Sequence, residues 1–208
     1  MDWFASYPFF ELYDGLIKQE PTFKLDLQTG HSLPIFSMVN NMTADIGFVV
    51  RTVPSNTITC TPLFRDPLVL VSSKKNKWPK ERIDPRILKV QNEVFWGYFG
   101  DYRIWHDQWW EPTIIPTIES DFSAPMSFDL LKDPARWLVS PRSVAENMLK
   151  THEDLAFWEF TLPPPDLTVY MLQRNMPRPN IVDAAETFSS YVINHIDVLT
   201  AGREYMKL

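Results

Sequence analysis

Three short stretches combine residue types and positions suited to holding an anion. Gly30, His31 and Ser32 lie between an alternating segment and an apolar helical pattern, Gly100 and Asp101 precede another such pattern, and Ser120, Asp121 and Ser123 precede a third. A turn that runs into a helix offers backbone N–H groups and the positive end of the helix dipole, which suit a carboxylate or a similar group. Ordinary capping uses the same residue types, so each stretch reads equally well as a cap or as a ligand contact. A second constellation is aromatic: Phe95, Trp96, Tyr98, Phe99, Trp105, Trp109 and Trp110 fall within sixteen residues. Trp105 and Trp109 share a helix face and read as core, whereas Trp96 and Tyr98 flank the turn at Gly97 and are expected to line a cleft.

Other chemistry finds little support. His31 is the one histidine beside a candidate site; His106, His152 and His195 fall on expected helices or loops with no paired nucleophile. Glu119, Asp121 and Asp129 are not brought to one reacting centre by any pattern. Glycine-rich phosphate loops and a G-x-S-x-G elbow are absent. Cys60 is the single cysteine, which excludes an intramolecular disulfide and any recognisable zinc site; it reads as a small apolar strand residue. No enzyme activity, metal or cofactor is expected.

The elements that would position these residues follow from periodicity. Ser6 is expected to cap a helix with Phe9, Leu12, Tyr13, Leu16 and Ile17 on one stripe, closed by Pro21. Thr22 to Thr29 alternates strictly, Phe23, Leu25 and Leu27 against Lys24, Asp26 and Gln28, and predicts a strand near a sheet edge. A short helix over Leu33–Asn40 follows. Ile46 to Val50 and Pro67 to Val71 are nearly continuous apolar runs, expected of strands buried on both faces, with a looser strand over Thr57–Phe64 between them.

Farther on, Glu93–Trp96, Thr113–Glu119, Trp137–Ser140 and Leu167–Leu172 read as strands. Asp101–Trp110, the segment after Ser120, Arg142–Lys150 and Ile181–Ile196 read as helices. Residues after Thr200 are expected to fray.

The basic connection after Ser73 and the proline-rich Thr161–Asp166 divide this pattern. They predict a discontinuous first subdomain, 1–72 with 165–208, and a second subdomain, 73–164. The fold expected is α/β: two Rossmann-like subdomains with mostly parallel sheets, joined by two crossing segments around a central cleft. A net charge of -6 argues against a nucleic-acid surface on this chain. No apolar run approaches the ~20 residues that span a bilayer, and the N-terminus lacks signal-peptide character, so a cytoplasmic location is expected.

The order of a helix, EPTFKLDLQTG, ADIGFVV and LFRDPLVLVSS resembles the effector-binding domain of LysR-type transcriptional regulators. Pro21, Leu25, Gly30, Asp45, Gly47, Val49, Leu63, Asp66 and Pro67 to Val71 stand at the family's positions, and the resemblance covers nearly the whole chain. It implies a fold like that of type 2 periplasmic binding proteins, an anionic or aromatic small-molecule effector, a homodimer or higher oligomer, and DNA contact only through a winged helix-turn-helix absent from this sequence. The expected effector contacts are Gly30, His31, Ser32, Phe64, Trp96, Gly97, Tyr98, Gly100, Asp101, Ser120, Asp121, Ser123 and Ser140. Three departures stand out: the strand that precedes the first helix in the family has no counterpart, the winged helix-turn-helix and its linker helix are missing, and the family's G-h-G-h motif is replaced by Asp133, Pro134, Ala135 and Arg136. The alternatives are a free-standing solute receptor of the periplasmic type and an enzyme on the same fold.

Overall fold

A computed structural model of the chain describes residues 3–76, 78, 82–97, 100–119 and 124–208. The chain divides into two compact units, 1–66 with 168–208 and 67–167.

Unit 1 is built on helix α1 (Trp3–Gln19), α2 (Ser32–Asn40), strands β1 (Ile46–Val49) and β2 (Ile58–Asp66). Helix α1 begins at Trp3, so Ser6 lies inside it rather than capping it, and Pro8 is carried within the helix. Four of its five stripe residues are buried, Phe9, Leu12, Tyr13 and Leu16 packing with Phe48, Phe64, Met171 and Phe188, whereas Ile17 is 45% exposed.

Unit 2 continues with β3 (Leu68–Ser73), β4 (Arg82–Ile83), β5 (Val94–Phe95), α3 (Asp101–Asp107), β6 (Ile118–Glu119), α4 (Ala124–Asp129), β7 (Trp137–Pro141), α5 (Arg142–Met148) and β8 (Leu155–Phe160). The chain then re-enters unit 1 through β9 (Leu167–Arg174), α6 (Val182–Asn194) and α7 (Ile196–Leu199).

The sheet of unit 1 has the order β1-β9-β2, that of unit 2 the order β4-β8-β3-β7, and β5 pairs with β6. Pairing sense departs from the mostly parallel expectation. β1–β9, β3–β7 and β3–β8 are antiparallel, and β4–β8 and β5–β6 are parallel. The strands that carry the chain out of and back into unit 1 run against their neighbours, which repeated helical crossovers alone would not produce. β3 is buried along its whole length between β7 and β8, so residues 67–72, assigned from sequence to the first subdomain, belong to the sheet of unit 2.

Three further expectations are corrected. Thr22 lies in a turn, and residues 23–29 are irregular and, among the described residues, join no ladder. Of Thr113–Glu119 only the last two residues pair, because Pro116 has no N–H to give. The C-terminus does not fray: Met206 is fully buried in the unit 1 core, and Lys207 bridges Phe64. β8, absent from the sequence reading, is a central strand.

Candidate functional site

In unit 1 the turn before α2 places His31 at the N-cap, with φ -80° and ψ 159° and no side-chain cap bond. Its imidazole is exposed, while Ser32, the first helical residue, is 2% exposed. The backbone N–H of Ile35 already bonds the carbonyl of His31. Gly30 is half-buried beside Ile35. Phe64 is fully buried in the core around Phe9, which removes it from any ligand-facing surface of this unit.

In unit 2 the candidate residues separate. Gly97, Gly100 and Asp101 are exposed, and Gly100 adopts φ 51° and ψ -106°, a conformation that favours glycine. Trp96 is not a cleft residue: it is 2% exposed, its indole N–H donates to Ser127 Oγ at 2.9 Å, and its ring lies against Phe128. An indole needs a partner when buried, and Ser127 supplies it. Ser140 is likewise fully buried within β7, its hydroxyl donating to the Pro141 carbonyl at 3.1 Å. Tyr98, Ser120, Asp121 and Ser123 lie outside the described residues.

The aromatic stretch acts largely as a set of staples. Trp105, Trp110 and Trp137 donate to the carbonyls of Leu162, Leu88 and Lys89 at 2.9, 3.2 and 3.0 Å, tying α3 and β7 to otherwise irregular segments. Trp105 packs edge-on against Phe160 and Trp110, as the core reading of that face requires.

Sequence spacing did not reveal a buried polar cluster at their centre. Glu93 and His106 are 1% and 3% exposed, with Glu93 Oε2 2.9 Å from His106 Nε2. Tyr102 approaches Glu93 Oε1 at 3.4 Å, and His106 Nδ1 faces Asp107 Oδ1 at 3.5 Å. Burial holds the Glu93 carboxyl above the usual carboxylate range, and the hydrogen bonds and charge from His106, Tyr102 and Arg103 oppose that rise. The thirteen-residue separation of the pair carries no periodic signal; only the approach of α3 to β5 brings them together.

Unit 1 also contains a cavity of ≈ 590 Å³. Its walls include Thr22–Gln28, Ala44–Ile46 and Phe48, with Ala184, Ala185 and Phe188 of α6. Arg178 pairs with Asp45 at 2.6 Å, and both belong to its lining.

Antiparallel outgoing and returning strands with these helices define a type 2 periplasmic-binding-protein-like fold. The chain matches the LysR substrate binding domain over residues 1–182, and it belongs to that family. Solved structures similar to it include the reduced OxyR regulatory domain of Pseudomonas aeruginosa, at 17% identity and TM-score 0.77, covering 97% of this chain and 94% of that one. A sulfate-bound mutant OxyR2 regulatory domain of Vibrio vulnificus matches at 13% identity and TM-score 0.73, covering 93% and 91%. The Synechocystis PCC6803 CcmR regulatory domain in complex with 2-PG matches at 13% identity and TM-score 0.72, covering 94% of each chain. At these identities the likeness is one of fold. No curated protein matches the sequence. Among the described residues, no helix is long and apolar enough to cross a membrane.

Proposed function

We propose that the chain is the ligand-sensing part of a LysR-type regulator that responds to a small anionic effector and has no catalytic activity of its own. The family match over residues 1–182 carries this reading. The turn at Gly30–Ser32 is the contact we assign to the effector, because it runs into α2 and its His31 is exposed without a side-chain cap bond. The ligands named with two similar structures, sulfate and 2-PG, fit an anion. Binding would shift the population of domain states by its differential affinity, and a DNA-reading segment of the parent protein would report that shift.

The experiment is a thermal-shift screen against inorganic anions, phosphorylated carboxylates and aromatic acids, since a ligand of the native state raises apparent stability by mass action. A hit whose affinity falls on replacing His31 or Ser32 by Ala supports the contact; a hit untouched by both changes removes it. Self-association is part of the same reading. Phe10 and Ile17, seven residues apart on one face of α1, are 76% and 45% exposed, an apolar stripe suited to pairing with a second copy. Light scattering that gives a monomer at every concentration would count against it.

A further inference from the structure

Helix α3 is the crossover between the parallel strands β5 and β6. Side chains tie it and the turn after it to the rest of unit 2. Trp105 and Trp110 donate to the carbonyls of Leu162 and Leu88, and His106 meets Glu93. The last tie differs from the other two, because its proton count is not fixed by the residue types. Glu93 Oε2 and His106 Nε2 stand 2.9 Å apart, so one of the two atoms carries a proton there. Across the ring His106 Nδ1, buried and without a hydrogen-bond partner, lies 3.5 Å from Asp107 Oδ1. A neutral imidazole has one N–H. With both carboxyls ionised, such a ring must set a lone pair against either Glu93 or Asp107. One further proton removes the conflict: the ring becomes an imidazolium between two carboxylates, or Glu93 donates to Nε2 while Nδ1–H points to Asp107. The seated geometry of α3 is that of the cluster with this proton bound.

The groups around the cluster leave that need in place. On α3, the Tyr102 hydroxyl approaches Glu93 Oε1 at 3.4 Å, and Arg103 Nε lies 3.0 Å from Asp107 Oδ1. From β5 and from the turn after α3, Phe95 and Trp110 pack on the imidazole, and from β7 Trp137 bridges the backbone of Glu93. The charged residues of the flanking segments, Lys89, Glu111 and Glu119, are exposed to solvent. Burial of the Glu93 carboxyl favours the proton-bound form.

We propose that Glu93, His106 and Asp107 form a proton-operated latch: with the proton bound α3 is seated on β5, and its release lets α3 open locally while the β4-β8-β3-β7 sheet stays folded. The proton is the ligand, and the latch works in the chain without an effector. Because the seated form binds the proton more tightly than the open form, opening is favoured as pH rises. One proton corresponds to a slope of up to about tenfold per pH unit.

The test is amide hydrogen exchange of the intact chain, expressed as protection relative to the unstructured rate at each pH. The series runs from the ordinary carboxylate range to well above the ordinary imidazole value. Protection at residues 104–107 should fall by about tenfold per pH unit over part of that series, while protection at Leu70 and Val71 in β3 stays flat. Glu93→Gln keeps a neutral donor toward Nε2 and should hold α3 closed throughout. Asp107→Asn removes the carboxylate on the far side of the ring, so a neutral ring satisfies Glu93 with no further proton, and this change should flatten the slope as well. A merely structural bond between Glu93 and His106 would leave the slope of Asp107→Asn unchanged. Three outcomes overturn the proposal: pH-independent protection of α3 in the native chain, a slope that persists in either variant, or parallel loss of protection in α3 and β3, which marks global unfolding. If Glu93→Gln does not fold, Asp107→Asn decides alone by the same outcomes.

Discussion

Glu93 Oε2 and His106 Nε2 meet at 2.9 Å inside unit 2, joining the residue before β5 to the last turn of α3, with both residues almost wholly buried. Phe95 and Trp110 pack on the imidazole, with ring centroids 5.2 and 4.7 Å away. Replacing His106 by Leu leaves a buried carboxyl without its main partner, and the expected cost is about 3–5 kcal/mol. Urea denaturation should show it as a lower midpoint. A double change of Glu93→Met with His106→Leu should cost less than His106→Leu alone, because two apolar groups then replace the pair.

The same carboxyl gives a pH signature. Its folded-state affinity for a proton exceeds that of the unfolded chain, chiefly through burial. Its contribution to stability is therefore full below the unfolded value near about 4.3 and is lost as pH rises through the raised folded value. Against Glu93→Gln, the native protein should lose relative stability as pH rises from the ordinary carboxylate range through the raised folded value. A stability difference that is flat with pH, or that grows in favour of the native protein, would show that the carboxyl is not held protonated by burial.

Trp96 offers a graded test of its structural role. Trp96→Phe removes the bond to Ser127 and should cost about 1 kcal/mol plus the smaller ring volume, while Trp96→Ala should cost about 3–5 kcal/mol. Loss of ligand binding by the Phe variant at full stability would return Trp96 to the list of effector contacts.

Gly47 tests the seam between β1 and α2. A Cβ there would lie 2.8 Å from Ile35 Cγ2 and 3.0 Å from Val39 Cγ2, so Gly47→Ala should destabilise by about 1–3 kcal/mol. The shorter side chain of Ile35→Val should return part of that loss, measured as a double-mutant cycle.

Much of this architecture is written in periodicity. The stripe Phe9, Leu12, Tyr13, Leu16 defines α1, and the apolar runs at Ile46 and Leu68 define β1 and β3, because each pattern is local. The 22–29 segment shows the limit of that reading. Alternation reports that one face is apolar, but a strand exists only when a neighbour accepts its hydrogen bonds, and no local pattern supplies the neighbour. Trp96, Phe64 and Ser140 failed as surface contacts for a related reason: flanking a turn or ending a strand says nothing about what packs above. Leu155–Phe160 escaped notice because its alternation is weak, with Trp158 half-buried and Glu159 exposed, and its place in the sheet is decided by β3 and β4. The Glu93–His106 pair is entirely tertiary.

The anchoring of Met206 and Lys207 against Phe64 has a consequence for synthesis. Unit 2 is one uninterrupted stretch and can form its contacts as soon as residue 167 has left the ribosome. Unit 1 is made of both ends of the chain, and its apolar face around Phe9, Phe48 and Phe64 stays uncovered until α6, α7 and Met206 arrive. During that interval the nascent chain carries a finished second unit beside an open first one. Its need for chaperone protection should therefore be concentrated in the interval during which residues 168–208 are translated.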